Sequence, residues 1–234
     1  MTIWLDAGHG GIDSGAINKK EGIAEKDLTL KIALKVRELL EKKGVKVILT
    51  REKDEKKTYE ERLKPQRENS CDLCLSIHLN GFKKSEAEGF EAWVFSKATR
   101  EEENLGKLLL KEIEKISPYK NRGLKKGYPG LPDKDFWVNR LTKAPSCLLE
   151  LGFVTGKTEG RFILENFESY ARAISNGVLE FLGKEEKGKS FDFVVTNLNE
   201  KNLRFLLDRE LLGGEKLIDF LKRQQYRFKI SERK

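Results

Sequence analysis

Two histidines, His9 and His78, are the only imidazoles in 234 residues, and each follows an apolar run. His9 lies in Asp6-Ala7-Gly8-His9-Gly10-Gly11, directly after the apolar stretch at 2–5. His78 closes the run Leu73-Cys74-Leu75-Ser76-Ile77. A third run, Pro145-Ser146-Cys147-Leu148-Leu149, ends in Glu150, and Glu25 stands just before a helical pattern. Two imidazoles and one carboxylate around an open position are a known catalytic zinc set with room for a water. A further carboxylate outside the ligand set can take that water's proton and pass it to a leaving amine. With His9, His78, Glu25 and Glu150 the division of roles has few solutions. The rival reading is two structural histidines and two solvated glutamates.

For these groups to meet, three strands must end along one edge of a single sheet. The run 2–5 breaks into glycines, which open backbone angles closed to other residues and allow a ligand close to the main chain. In open α/β sheets that edge is where ligands bind. After a polar loop at 12–24, Leu28, Ile32, Ala33, Val36, Leu39 and Leu40 recur with helical spacing until Gly44. Residues 45–49 read as a second strand, 56–69 as a charged helix, 73–77 as a third strand and 89–95 as a fourth. A helix carrying Leu105, Leu109 and Ile113 stops at Pro118. Residues 119–145 form the least regular stretch, where Tyr128, Phe136 and Trp137 interleave with glycines and prolines. A long aromatic loop inside a domain is more often functional than idle. The strand ending at Glu150 and a helix over 167–181 complete the pattern. Strands alternating with helices predict an α/β sheet with helices on both faces.

The balance of 46 Lys and Arg against 38 Asp and Glu leaves +8, which favours anionic polymers in general. No recognition motif points to nucleic acid, and an anionic cell wall is the other candidate. No 18-residue apolar run exists, so no membrane span is expected. The first residues lack a basic stretch followed by an apolar core, which predicts no secretory signal and synthesis in the cytoplasm. Three cysteines argue against a disulfide framework. Cys71 and Cys74 form C-x-x-C, but at a strand start that spacing points to opposite faces, so small buried residues are expected there rather than a metal pair.

Five ordered motifs then carry a resemblance. They are Asp6-Ala-Gly-His-Gly-Gly, Gly22-x-x-Glu25-Lys26-Asp27-Leu28, Leu49-Thr50-Arg51, Ser76-Ile77-His78-x-Asn80, and Pro145-x-x-Leu148-x-Glu150-x-Gly152-Phe153. In order and spacing this set resembles the zinc-dependent N-acetylmuramoyl-L-alanine amidases of the D-x-G-H-G-G branch, over residues 1–182. The resemblance implies a mixed, mostly parallel sheet flanked by helices. It implies zinc held by His9, Glu25 and His78, with Glu150 as the catalytic carboxylate. The reaction implied is hydrolysis of the amide between the lactyl group of N-acetylmuramic acid and L-alanine in peptidoglycan. Asn80 reads as a group on the substrate side or behind a ligand, or as a turn-forming residue. Arg51 and Arg62 match family arginines, and an ion pair bracing helices explains them equally. Gln66-Arg67 departs from the family's usual Ala-Asn, and 119–144 carries no inserted long regulatory helix to block the groove, which implies an open enzyme restrained by location.

Residues 183–190 read as a polar linker, and 191–234 as a small α+β module for wall binding or dimerisation. Its pattern is strand at 191–195, helices around 203–211 and 217–221, and strand at 228–230. Without a secretory signal, a wall hydrolase resembles a phage endolysin or a mother-cell lysin, acting on the wall after release. Two rivals remain at this point. One is a zinc peptidase on the stem peptide, with Arg140 or Arg122 clamping a terminal carboxylate. The other is a wall-binding protein without activity, against which Glu150 argues.

Overall fold

The chain opens directly into the sheet. β1 (Thr2–Ala7) is buried almost throughout, as an apolar strand flanked on both sides must be. In the computed structural model the described residues are 1–83, 86–131 and 134–184, with two further strands at 191–195 and 228–232. The stretch expected as a polar loop carries a minute hairpin, β2 (Ile17–Asn18) and β3 (Ile23–Ala24). α1 (Glu25–Glu41) has acidic residues in its first turn and buries Leu28, Ile32, Ala33, Val36 and Leu40. β4 (Lys46–Leu49) follows, then α2 (Tyr59–Glu68), whose start is fixed by a reciprocal capping box between Thr58 and Glu61.

β5 (Leu73–Asn80) runs three residues further than the apolar run foretold, so His78 and Asn80 lie inside a strand rather than past its end. The physical reason is the neighbouring strand, which keeps pairing with β5 across an irregularity between His78 and Asn80. β6 (Phe90–Val94) and α3 (Arg100–Glu114) come next, the helix begun by a Thr99–Glu102 capping box. β7 (Asn121–Lys126) lies in the region read as loop; its sequence NRGLKK has no alternating apolar face because it is an edge strand with partly exposed side chains. Short α4 (Trp137–Leu141), β8 (Ser146–Phe153), α5 (Glu159–Glu165) and α6 (Phe167–Phe181) complete this part.

The sheet order is β4-β1-β5-β8-β6-β7. β4, β1, β5 and β8 pair in parallel, β6 joins β8 antiparallel, and β7 joins β6 in parallel. One face packs against α1, α3 and α6 and forms the larger core, with Leu5, Ile32, Leu75, Leu109, Leu149 and Ile174 fully buried. The other face holds a smaller cluster of Trp4, Cys74, Trp93, Val138 and Leu148, with Phe136 and Trp137 packed on it. Cys71 packs on that same cluster with Cys74, so the two thiols share surroundings rather than facing apart, because Cys71 precedes the strand. The expected mixed, mostly parallel sheet with helices on both faces is what the chain adopts, with the helical cover unequal.

By its contacts the chain divides into two units, Met1–Glu185 and Glu186–Lys234. In the second, β9 (Phe191–Val195) pairs antiparallel with β10 (Phe228–Glu232). The expected helices around 203–211 and 217–221, and most of the expected linker, lie outside the described residues. No described helix is long and apolar enough to cross a membrane.

Candidate metal centre

Strand alternation places the chemistry. Along β5, Cys74, Ser76, His78 and Asn80 share one face; so do Trp4 and Asp6 on β1, and Leu148 and Glu150 on β8. At the N-terminal ends of the parallel strands this face is closed by the Trp4–Cys74–Leu148 cluster. Toward their C-terminal ends it turns polar. β6 runs the other way, so its order is inverted: Trp93 pairs with Leu148, and Glu91 pairs with Glu150.

The turn after β1 is held by two buried arginines. Arg51 donates from Nε to the Ala7 carbonyl and from Nη2 to that of Gly8, both at 3.0 Å. Arg62 donates to the carbonyls of Ala7 (2.8 Å) and His9 (2.5 Å) and pairs with Asp6 at 2.6 Å. These arginines brace the turn that presents a histidine, rather than one helix against another. Asp6 completes the lock by accepting from Thr50 and Ser76, each at 2.7 Å. Burial would raise its pKa, and Arg62, His78 and the two hydroxyls overcome that and hold it low. His9 has φ of 60°, left-handed backbone that a non-glycine residue adopts only when its surroundings impose it.

Glycines then make room for the rings. A Cβ on Gly8 would collide with the His78 imidazole, and one on Gly15 would stand 2.5 Å from Glu25 Oε2 and 2.6 Å from His9 Cδ2. In the resulting cradle Glu25 Oε1 lies 3.1 Å from His9 Nε2 and 3.0 Å from His78 Nδ1. The imidazole centroids are 4.9 Å apart, with rings nearly perpendicular. One ligand atom from each of His9, Glu25 and His78 falls within 4.8 Å of the others; among the described residues no other trio of His, Cys, Asp and Glu does so.

This donor set fits zinc. Glu25, though buried, is held well below the usual carboxylate range: burial raises it, and hydrogen bonds and charge from both histidines more than offset this. Its oxygens are further fixed by the amides of Leu79 (3.0 Å) and Ala16 (2.9 Å). Asp13 Oδ1 lies 3.0 Å from His9 Nδ1, where an outer carboxylate would orient a ligating imidazole and turn its Nε2 toward a metal.

Glu150 stands in register beside His78 on one side and Glu91 on the other. Its Oε2 is sealed from solvent and has no hydrogen-bond partner among the described residues. Burial first, then the charges of Glu25 and Glu91, raise its pKa well above the usual value. A buried carboxyl oxygen with nothing bound to it, beside three potential metal ligands, is poised to exchange a proton with something that enters.

The structure thus brings His9, Glu25, His78 and Glu150 together. Asn80 is also there, but as a strand residue donating to Glu91 at 3.3 Å, which excludes the turn-forming reading. Arg140 is exposed on α4 and no described contact ties it to the metal ligands. Two participants escaped sequence reasoning. Asp13 sits four residues after His9, a spacing that could have been noticed. Glu91 is a lone carboxylate at an inward position of an apolar strand, Gly89-Phe-Glu-Ala-Trp-Val, and that mismatch was the available signal.

A mixed α/β sheet that gathers two imidazoles and a carboxylate beside a second carboxylate with one sealed, unpartnered oxygen has the architecture of a metal-dependent hydrolase. Residues 3–180 match the family described as N-acetylmuramoyl-L-alanine amidase, and the chain belongs to that family. It is 29% identical over 202 residues to the germination-specific N-acetylmuramoyl-L-alanine amidase of Bacillus subtilis (strain 168), covering 80% of this chain and 81% of that one. The solved N-acetylmuramoyl-L-alanine amidase of Clostridium difficile 630 superposes with a TM-score of 0.71 at 32% identity, covering 80% of this chain and 98% of that one. The CwlD amidase of Clostridioides difficile, solved with the GerS lipoprotein, gives 0.66 at 35% identity, covering 79% and 99%.

Proposed function

We propose that this chain is a zinc-dependent peptidoglycan hydrolase. Its bond is the amide between the lactyl group of N-acetylmuramic acid and L-alanine of the stem peptide. The observation that carries this is the sealed, unpartnered Oε2 of Glu150 beside the His9–Glu25–His78 cluster. When bound, zinc polarises a carbonyl and brings the pKa of a water down toward ~7. His9, Glu25 and His78 hold it, and Arg51 and Arg62 keep the His9 turn rigid. Glu150 takes the proton of the attacking water at Oε2 and returns it to the departing amide nitrogen. A pKa raised by burial makes its ionised form the stronger base for that transfer. Asn80 acts on the substrate side through Glu91, and exposed Arg140 offers the substrate a cation.

A digest of purified peptidoglycan by the zinc-loaded protein, read by mass spectrometry, tests the reaction. Peptide-free glycan strands and stem peptides with a new L-alanine amino terminus are expected. Released single amino acids or cut cross-links would move the scissile bond to a peptidase site instead.

The cell wall is the place of action in this reading, reached as a phage endolysin or a mother-cell lysin. The germination-specific relative supports the second setting, and the presence of a second compact unit, Glu186–Lys234, is in keeping with the first. We assign residues 191–234 to wall binding or dimerisation. Loss of whole-wall lysis, with soluble muropeptide cleavage retained on their deletion, is the expected sign of wall binding. A shift in sedimentation from dimer to monomer is the sign of dimerisation.

A further inference from the structure

Glu91 is 3% exposed and lies in register beside Glu150, yet the reaction above gives its carboxylate no step. Its Oε1 accepts from Trp93 Nε1 at 3.0 Å and from Asn80 at 3.3 Å. Its Oε2 accepts from both Arg122 Nε (2.6 Å) and Lys125 Nζ (2.5 Å). Two cations thus share this one carboxylate oxygen. Burial would raise the Glu91 pKa, and Lys125, Arg122 and Trp93 outweigh it, so the carboxylate stays ionised and keeps both cations in place.

Each cation is about one-third open, with side-chain exposures of 35% for Arg122 and 32% for Lys125. Each also rests on an aromatic ring: Arg122 is 5.2 Å from the Phe153 centroid, and Lys125 is 5.2 Å from that of Trp93. Apart from Glu91, the Arg122 side chain donates only a 3.5 Å hydrogen bond to the Glu88 carbonyl, its Nη2 has no hydrogen bond among the described residues, and the Glu159 carboxyl lies close enough to feel its charge. Preorganised cations with free donors, partly desolvated, are what a carboxylate ligand requires.

The pair sits on β7, two strands from Glu150. At ~4.8 Å per strand this is roughly 10 Å between backbones, and both side chains reach across toward Glu150 as far as Glu91 on β6. In peptidoglycan the residue after L-alanine is an isoglutamate, whose α-carboxylate is either free or amidated. That group lies about two residues, roughly 7 Å, along the stem from the scissile amide.

We propose that Arg122 and Lys125, held together by Glu91, form an anion subsite that binds a free carboxylate of the stem peptide on the leaving side of the scissile amide. The proposal rests on the amidase reading, and names the part of the substrate that this side of the site selects. The alternative for the same contacts is an ion triad that only stitches β6 to β7.

The test uses two N-acetylmuramoyl dipeptides, L-alanyl-D-isoglutamate and L-alanyl-D-isoglutamine, with the full-length zinc-loaded enzyme. They differ in one charge. The acid is expected to be cleaved with ~10-fold higher kcat/KM, the worth of one charge-assisted contact, carried mostly by KM. Lys125→Gln keeps a donor for Glu91 but removes the charge, and is expected to bring the ratio close to one. Lys125→Arg is expected to restore it. A ratio near one in the wild type, or one that Lys125→Gln leaves unchanged, overturns the subsite while leaving the amidase intact. Cleavage of neither dipeptide together with no glycan–peptide separation in walls fails the amidase reading, and the subsite with it.

Discussion

Two halves of one sheet face are built from the same strands and differ in everything their side chains do. At one end Trp4, Cys74, Leu148 and Trp93 pack against Val138 of α4 into a small apolar cluster. Two residues along each strand the same face carries Asp6, Ser76, Glu150 and Glu91, with His78 beyond Ser76. The apolar half is covered by Val138 and Trp137 of α4 together with Phe136, and Trp4 gives its indole N–H to the Arg62 backbone carbonyl at 2.9 Å. The polar half is satisfied by partners that are charged or are themselves part of the turn. Nearly every buried polar group there has one, and the Glu150 oxygen without a partner stands beside the ligand cluster. The apolar half also leaves Ser146 Oγ and Asn139 Oδ1 without partners among the described residues, but only the polar half sets an unpartnered carboxylate oxygen beside the His9–Glu25–His78 cluster.

This comparison can be broken at several points. The largest effect is expected from Glu25→Ala, which removes the ligand that both histidines share. Zinc should no longer bind at equimolar metal, and cleavage should fall roughly 10³-fold or more as the metal's several kcal/mol of charge stabilisation is lost. Metal content by mass spectrometry and a turbidity assay check both. Arg62→Ala strands Asp6 as a buried, unpaired charge and frees the His9 carbonyl. A destabilisation of about 3–5 kcal/mol is expected in urea unfolding, because the desolvation of Asp6 is then unanswered.

A third prediction concerns Glu159, 1% exposed, which receives the amides of Phe153 (2.8 Å) and Gly89 (3.1 Å) at the margin of the polar half. Burial lifts its carboxyl from 4.5 to about 7 against those hydrogen bonds. The folded state therefore binds this proton more tightly than the unfolded chain does. Its stabilising contribution is full below the unfolded pKa and is lost as pH rises through the folded one. Between pH 4.5 and 7 this loss amounts to roughly 3 kcal/mol. Glu159→Gln should remove it, so the fall in Tm between pH 5 and 8 should be smaller in the variant than in the wild type. The apolar half gives the smallest effect. Val138→Ala should lower stability by about 1.5–3 kcal/mol and leave kcat and zinc content as they were. A parallel drop in kcat would show that the halves are not independent.

Much of this is legible in the sequence. Apolar runs ending in His78 and Glu150, and a glycine turn around His9, are local signals, because a strand and its end are written in consecutive residues. Glu25 was expected just before a helical pattern and is the first residue of α1. What could not be read depends on which strands become neighbours. Glu91 matters because β6 inserts antiparallel beside β8, and nothing in Gly89-Phe-Glu-Ala-Trp states that pairing. β7 escaped because an edge strand need not alternate, and NRGLKK does not. Arg51 and Arg62 were visible as residues, but their common target, the carbonyls of the His9 turn, is a tertiary fact. His78 was expected at a strand's end and lies within one, since β8 extends the pairing past it.

The proposed mechanism divides the labour: His9, Glu25 and His78 would hold the metal and Glu150 would move the proton. Glu150→Gln, measured for bound zinc and for cleavage in the same preparation, tests it most directly. One zinc per chain with cleavage slowed roughly 10²- to 10⁴-fold is the predicted result, as expected when a general base is lost from an otherwise intact site. Wild-type cleavage, or loss of zinc along with activity, would contradict it.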